Sequence, residues 1–302
     1  MVVVQKMQSS VQGRLSDVAS SEPATAADLK AAARSRLGGA LARIAENPVI
    51  FGISLRGAAA SRNWDDVQDK LRRTIRSLAV QTDRNFHVVV CGHDEPDLSE
   101  FGDIVSWLPV SWPVPAEPKE FSNDKMKKRR WILLNLRPLV TSGIYFFTLD
   151  ADDLIVDNFV EYVRTDHNRT GYYIDKGYVL DVQSNSLAKL DATTRAFHKT
   201  CGSCAVFWLT RIDMPQRMGD RDNFFSHMVV HTDYPETSAA LGRTIQPVPF
   251  YAALYLLNHG NNNTQLKNTN ASRTASTVKH RIERQDEYDR IMARFPALAG
   301  LT

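Results

Sequence analysis

The spacing of apolar residues changes period along the chain. From residue 49 to about 265, short apolar runs alternate with segments in which apolar residues return every three or four positions. VIFGISL (49–55) is a β-rich apolar run, the pattern of a strand buried on both faces. Val67, Leu71, Ile75 and Leu78 then fall on one face of a helix. FHVVV (86–90) and TSGIYFFTL (141–149) predict a second and a third strand, each preceded by a helix-like segment. This order is that of βαβ units, so the pattern predicts an α/β domain on a mostly parallel central sheet with helices on both faces. GYYIDKGYVLDV (171–182), CAVFWL (204–209) and TIQPVPFYAALYLL (244–257) supply further strands. Ligands of such sheets sit beyond the carboxyl ends of the strands, so the residues that follow each strand are the first candidates for chemistry.

The two flanks differ from this pattern. Residues 1–48 are rich in Ala, and Leu29, Ala33, Leu37, Leu41 and Ile44 recur at helical spacing with Arg34, Arg36 and Arg43 among them. They predict a helical or flexible extension that packs on the domain or on a second subunit, weakened at Gly38-Gly39 and ended by Pro48. The alternatives for this stretch are an organelle transit peptide, since it has Arg and Ser and few acids, and a membrane-surface helix, which leaves room for peripheral membrane contact. MVVVQKM lacks the apolar region and cleavage site of a secretory signal. Residues 266–302 begin as the polar run LKNTNASRTASTVKH, expected to be a mobile loop, and end in a helix whose face is Tyr288, Ile291, Met292 and Phe295.

Composition narrows the class. The 302 residues are 43% hydrophobic and 24% charged, enough for a large core. A net charge of +3 is too small to argue for nucleic acid as a partner. FYAALYLL (250–257) is far shorter than the ~20 apolar residues of a membrane helix. Cys91, Cys201 and Cys204 cannot make a disulfide framework for this length and suit a reducing compartment, so a cytoplasmic location is expected. Cys201-Gly-Ser-Cys204 lacks the second ligand pair of a zinc knuckle and reads as two core thiols.

The densest chemistry follows IYFFTL. Asp150-Ala151-Asp152-Asp153 places three carboxylates at the end of a buried strand, where they repel one another and need a cation. Asp150 and Asp152 point to one side in extended backbone, an arrangement for a divalent metal bound to a nucleotide diphosphate. The other reading makes Asp152 or Asp153 the N-cap of a helix over DNFVEYVR (157–164).

LRRTIRSLAVQTDRNFHVVVCGHDEPD (71–97), followed by DKMKKRRWILLNLRPLVTSGIYFFTLDADDLI (124–155), resembles the nucleotide-binding half of a GT-A glycosyltransferase, most similar to glycosyltransferase family 2 and its relatives. The shared order is a helix ending in SLAVQT, a strand, a polar turn, a basic helix, and an apolar strand ending in Asp-x-Asp. The resemblance implies a metal-dependent enzyme that moves a sugar from a nucleotide-sugar donor to a hydroxyl of a glycan or glycolipid acceptor, with Mn²⁺ or Mg²⁺ as cofactor. The family usually carries an Asp-Asp-Gly-Ser-like turn after the second strand. CGHDEPD stands there in this chain, with Asp94 nearest to the expected nucleoside contact.

Further residues take roles from the same resemblance. In DKMKKRR (124–130), Lys125, Lys128 and Arg129 share one side and would neutralise the diphosphate, while Lys127 and Arg130 are expected to be solvated. Gly202 resembles the glycine of a loop where donor and acceptor approach the backbone. Asp233, with Glu236 three residues on, matches the acidic motif that carries the base of inverting members, though Asp233-Tyr-Pro235-Glu236 is also a good helix start. His259, after the last apolar strand, is placed to complete the metal set of Asp150 and Asp152. Two alternatives stay open. One is a nucleotidyltransferase, for which SLRGAAASR (54–62) offers Arg56 and Gly57 after the first strand. The other is a non-catalytic module that binds a sugar nucleotide or a partner.

Overall fold

A computed structural model describes residues 26–260 and 269–299, with the side chains of residues 26–30 left aside. The N-terminal segment MVVVQKM and the polar residues 261–268 lie outside the described residues.

The described chain begins with α1 (Ala26–Leu41), which runs without a break through Gly38-Gly39 and buries Ala33, Leu37 and Ala40. It packs on the edge of the main sheet, and Arg34 Nε donates to Asn135 Oδ1 at 2.8 Å. The main sheet follows. Strand β1 (Val49–Ser54) leads to α2 (Trp64–Ala79), β2 (Phe86–Gly92), β3 (Val105–Pro109), α3 (Phe121–Leu136) and β4 (Ile144–Leu149). The start of α2 is set by Asn63, whose side chain accepts from the amides of Asp65 and Asp66, and its buried stripe is Val67, Lys70, Leu71, Thr74, Ile75 and Leu78. β1 pairs in parallel with both β2 and β4, and β2 in parallel with β3.

Alternation along β1 and β4 decides what covers each face. A side chain at Gly52 would run into the Phe146 ring and reach Ile132 of α3, so these define one face. On the other face Phe51 meets Phe147, and Phe147 meets Phe159 of α4 (Phe159–Asp166). Helices therefore cover both faces, as the alternating pattern predicts. The mostly parallel central sheet of an α/β fold is present.

The second half departs from a plain βα repeat. GYYIDKGYVLDV divides into β6 (Gly171–Tyr173) and β7 (Gly177–Asp181), and TIQPVPFYAALYLL into β10 (Gln246–Pro247) and β11 (Ala253–Leu257). Each pair is split between two sheets. The main sheet has the order β10-β6-β9-β4-β1-β2-β3, with β9 (Ala205–Leu209) antiparallel to both neighbours. A second sheet has the order β5-β11-β7-β8, where β5 is Leu154–Ile155 and β8 is Ser186–Leu190. Gly171 has φ of +107°, and a Cβ there would lie 2.5 Å from the Val206 carbonyl oxygen, so the β6–β9 pairing requires glycine.

Short α5 (Phe224–His227) and α6 (Tyr234–Ala240) lie between β9 and β10. Within the polar run expected as a loop, residues 271–279 form α7 (Ala271–Lys279) instead, packed on β8 and β7 with Thr277 buried. Nothing in its own pattern makes it a helix; docking on the second sheet does. It is followed by α8 (Gln285–Met292), where Ile291 is buried, and Phe295 is buried just beyond.

Candidate functional site

β1 sends the chain to β2 on one side and β4 flanks it on the other, so the sheet order reverses between β1 and β4. A crevice must open there at the carboxyl ends of the strands. Ser54, Leu55 and Arg56 leave β1, and Asp150, Ala151 and Asp152 leave β4, and all six line a cleft of about 250 Å³. The second half of the chain adds Thr200, Cys201, Gly202, His231, Tyr255, His259 and Arg273 to the lining.

The three aspartates divide their tasks. Asp150 accepts from Lys125 Nζ at 2.6 Å and from Arg129 Nη2 at 3.2 Å. Asp152 faces the cleft, and its Oδ2 lies 2.8 Å from His259 Nε2. Burial works to raise the Asp152 carboxyl; the His259 hydrogen bond, with the charges of His259, Lys125 and Arg56, holds it below the usual carboxylate range. Asp153 turns inward, where its Oδ2 accepts from Ser203 Oγ at 2.5 Å and Cys201 Sγ at 3.0 Å. Burial, then the charges of Asp152 and Asp150, push the Asp153 carboxyl well above the usual carboxylate range. Neither Asp152 nor Asp153 caps a helix. Both precede β5, and Asn158 holds the N-cap position of α4.

His259 is held through neighbours on β7, α7 and α2. Asn258 takes the left-handed conformation at φ of 60°, and its Nδ2 donates to Asp181 Oδ2 at 2.6 Å and to Thr274 Oγ1 at 2.7 Å. Lys70 Nζ reaches from α2 to the His259 carbonyl oxygen at 2.9 Å and also pairs with Asp66. That turn and that tether bring the His259 ring back to Asp152.

Of the basic segment, Lys125 and Lys128 both line the cleft. Lys128 is 1% exposed, and its ammonium is engaged by the Leu55 carbonyl at 2.7 Å and Asp124 at 2.5 Å, so it braces the cleft wall. Arg129 lies behind Asp150. Arg130 is 7% exposed, contrary to the solvated position expected for it, because the segment enters α3 with that side against the protein. Arg56 sits over the Phe121 ring at 4.9 Å, its pKa lowered by burial against the opposing pull of Asp152.

The remaining candidates separate. Gly202 is in the cleft, where a Cβ would lie 3.5 Å from Asp150 Oδ2 and 3.7 Å from Lys125 Nζ. Asp94 stands away from the lining, and its Oδ2 accepts the Ala58 amide at 2.7 Å, closing the turn after β1. Asp233 is exposed at the N-cap position of α6, bonded to the Thr232 hydroxyl, and Glu236 is exposed and paired with Lys199 at 3.2 Å. Neither lines the cleft. His231, two residues before Asp233, does. Lys70, Phe121, Asp124, His231 and Arg273 also line it without having been singled out in the sequence. Lys70 left one trace there, a cation on the apolar stripe of α2.

The residues suit a divalent cation. Asp150, Asp152 and Asp153 each offer an oxygen within 4.8 Å of the others. Asp150, bonded to two cations, and Asp152, bonded to His259, both line the cleft, while Asp153 is turned inward to two buried donors. Clustered carboxylate oxygens are a donor set for Mg²⁺ or Mn²⁺, and His259 Nε2 would join them, suiting Mn²⁺ better than Mg²⁺, only by giving up its hydrogen bond to Asp152. No helix among the described residues is long and apolar enough to cross a membrane. In comparisons with known proteins, the chain matches no protein-family model and no curated protein.

Proposed function

We propose that the chain is a metal-dependent GT-A-type glycosyltransferase that moves a sugar from a nucleotide-diphosphate donor to a hydroxyl of a glycan or glycolipid acceptor. The observation that carries this reading is the meeting of Asp152 and His259 at the β1–β4 crevice, in a cleft that Arg56, Lys70, Lys125 and Arg273 also line. Carboxylate, imidazole and several cations around one cleft suit a diphosphate with its metal, in which negative charge needs compensation from more than one side.

In this mechanism Arg56, Lys125 and Arg273 bind the diphosphate oxygens. Asp150 orients Lys125 and Arg129 so that their positive ends stay beside the anion. The bond between the anomeric carbon and the phosphate oxygen breaks with its electron pair passing to the diphosphate, and the acceptor oxygen bonds to that carbon from the opposite side, inverting it. Mn²⁺ or Mg²⁺ on Asp152 and His259 would supply further positive charge against the leaving group. Gly202 leaves the sugar and the acceptor room to approach the backbone beside Asp150.

The loop after β1 argues against the nucleotidyltransferase alternative. The Ala58 amide, which a phosphate-cradling loop would direct at its ligand, is given to Asp94.

Calorimetric titration of UDP and GDP tests the binding half of the proposal. Binding of at least one nucleotide that strengthens with Mn²⁺ and weakens on Lys125→Gln is expected. Affinity for neither, with or without Mn²⁺, would remove the basis of the reading.

A further inference from the structure

We propose that His231 is the catalytic base, taking the proton from the acceptor hydroxyl at Nε2. The inference rests on the glycosyl-transfer reading of the cleft and deepens it by naming the proton acceptor.

The geometry begins with the ring's other nitrogen. His231 Nδ1 lies 2.7 Å from the carbonyl oxygen of His198. A carbonyl only accepts, so Nδ1 carries the hydrogen, and the neutral ring then has its lone pair on Nε2. Nε2 has no hydrogen-bond partner among the described residues. Cδ2, the carbon bonded to Nε2, lies 3.9 Å from the point where a Cβ on Gly202 would stand. That point is also 3.5 Å from Asp150 Oδ2 and 3.7 Å from Lys125 Nζ. The basic edge of the ring therefore borders the free space beside Gly202, where sugar and acceptor would meet.

Burial, more than the surrounding charges, favours the neutral, basic form of the ring. Burial lowers the His231 pKa; the hydrogen bond to His198 and the charge of Asp150 raise it, and Lys125 and Arg129 of α3 lower it further. His198, Lys199, Asp233 and Glu236 are further ionisable groups on this and the adjoining turns: Lys199 reaches the Thr232 carbonyl, Glu236 pairs with Lys199, and Asp233 accepts from the Thr232 hydroxyl. A base below the ordinary histidine value is neutral at pH 7 and ready to accept.

The step balances within the proposed transfer. The acceptor O–H proton moves to His231 Nε2 as the acceptor oxygen bonds to the anomeric carbon. The electron pair of the broken carbon–oxygen bond leaves on the diphosphate. The imidazolium then returns its proton to solvent through the open cleft. The exposed Asp233 carboxylate, bonded to Thr232 and outside the lining, is not used.

His231→Asn tests this, because the Asn amide can still donate to the His198 carbonyl while the acceptor nitrogen is lost. With UDP- and GDP-hexoses as donors and p-nitrophenyl glycosides as acceptors, transfer should fall by about 100- to 10,000-fold, the range of a lost general base. Affinity for the nucleoside diphosphate should stay within about two-fold, and the acid limb of the wild-type kcat/KM profile should vanish. Asp233→Asn should keep wild-type transfer. If His231→Asn folds poorly, His231→Ala supplies the second measurement: added imidazole should restore transfer as its neutral form accumulates with pH. Wild-type transfer and an intact acid limb in His231→Asn, no imidazole rescue of a folded His231→Ala, or a comparable loss in Asp233→Asn would each overturn the assignment. If the wild type itself releases nucleoside diphosphate from no donor, the glycosyl-transfer reading fails and the base falls with it. Release by wild type and variant alike removes the base alone.

Discussion

Nε2 of His259 lies 2.8 Å from Oδ2 of Asp152, joining two residues 107 positions apart in sequence. One follows the last strand of the second sheet and the other the central strand β4, so the pair exists only when both sheets are formed. His259→Ala removes the ring but not the backbone carbonyl that holds Lys70. Mn²⁺ affinity in the presence of nucleoside diphosphate should fall by about 10-fold or more. Calorimetry reads that change, and thermal melting should also fall near neutral pH, because Asp152 loses the hydrogen bond that holds its carboxylate charged.

Asn258 sets the turn that delivers His259. Asn258→Ala puts a methyl-bearing residue at φ of 60° and takes from the buried Asp181 the donor at 2.6 Å. The expected loss is roughly 2 to 4 kcal/mol of stability in urea unfolding. Metal affinity should weaken as well, because the ring loses its register with Asp152. A stable variant with unaltered metal affinity would show that the turn does not position the ring.

Lys128 is buried with Asp124 as its counter-ion, and Asp124 also accepts from Trp112 Nε1 at 2.8 Å. Asp124→Ala leaves an uncompensated charge in the cleft wall. A destabilisation of about 3 to 5 kcal/mol is expected. Replacing both partners in Asp124→Ala/Lys128→Met should recover most of it, as urea denaturation of the three variants would show.

His87 provides a pH test away from the cleft. Burial first, and Arg43 second, bring it from the ordinary histidine range to about 4, and its Nε2 lies 2.9 Å from Ser106 Oγ. A base with a depressed folded pKa binds its proton more readily when unfolded. Its contribution is therefore full above about pH 6.5 and is lost as pH falls toward 4. The expected loss across that window is about 2 to 3 kcal/mol. It should be smaller in His87→Asn, measured by urea unfolding at pH 7, 5.5 and 4.5.

The parts of the fold legible in the sequence are those whose own pattern decides them. VIFGISL, FHVVV and IYFFTL are buried on both faces as β1, β2 and β4, and Val67, Leu71, Ile75 and Leu78 form the stripe of α2. VSWLP and SLAKL, short strands with a polar residue inside, carry no such signal, and neither does α7, a Ser/Thr-rich helix formed by docking on the second sheet. The division of two long apolar segments between two sheets depends on long-range pairing that no local window contains. In the site, Asp150 and Asp152 were legible because they end a buried strand. His231 and Arg273 were not, since only tertiary packing brings them to the cleft. Lys128 and Arg130 read as part of a charged run because sequence spacing does not show which side of α3 is buried.

Nucleoside diphosphate release from a panel of UDP- and GDP-sugars tests the central claim most directly. Wild-type protein with Mn²⁺ should release diphosphate from at least one donor. Chelation should abolish it, and Asp152→Asn should lower it by about 100-fold or more, the scale of losing an electrostatic stabiliser of the leaving group. Release from no donor, or equal release by Asp152→Asn, would contradict the account.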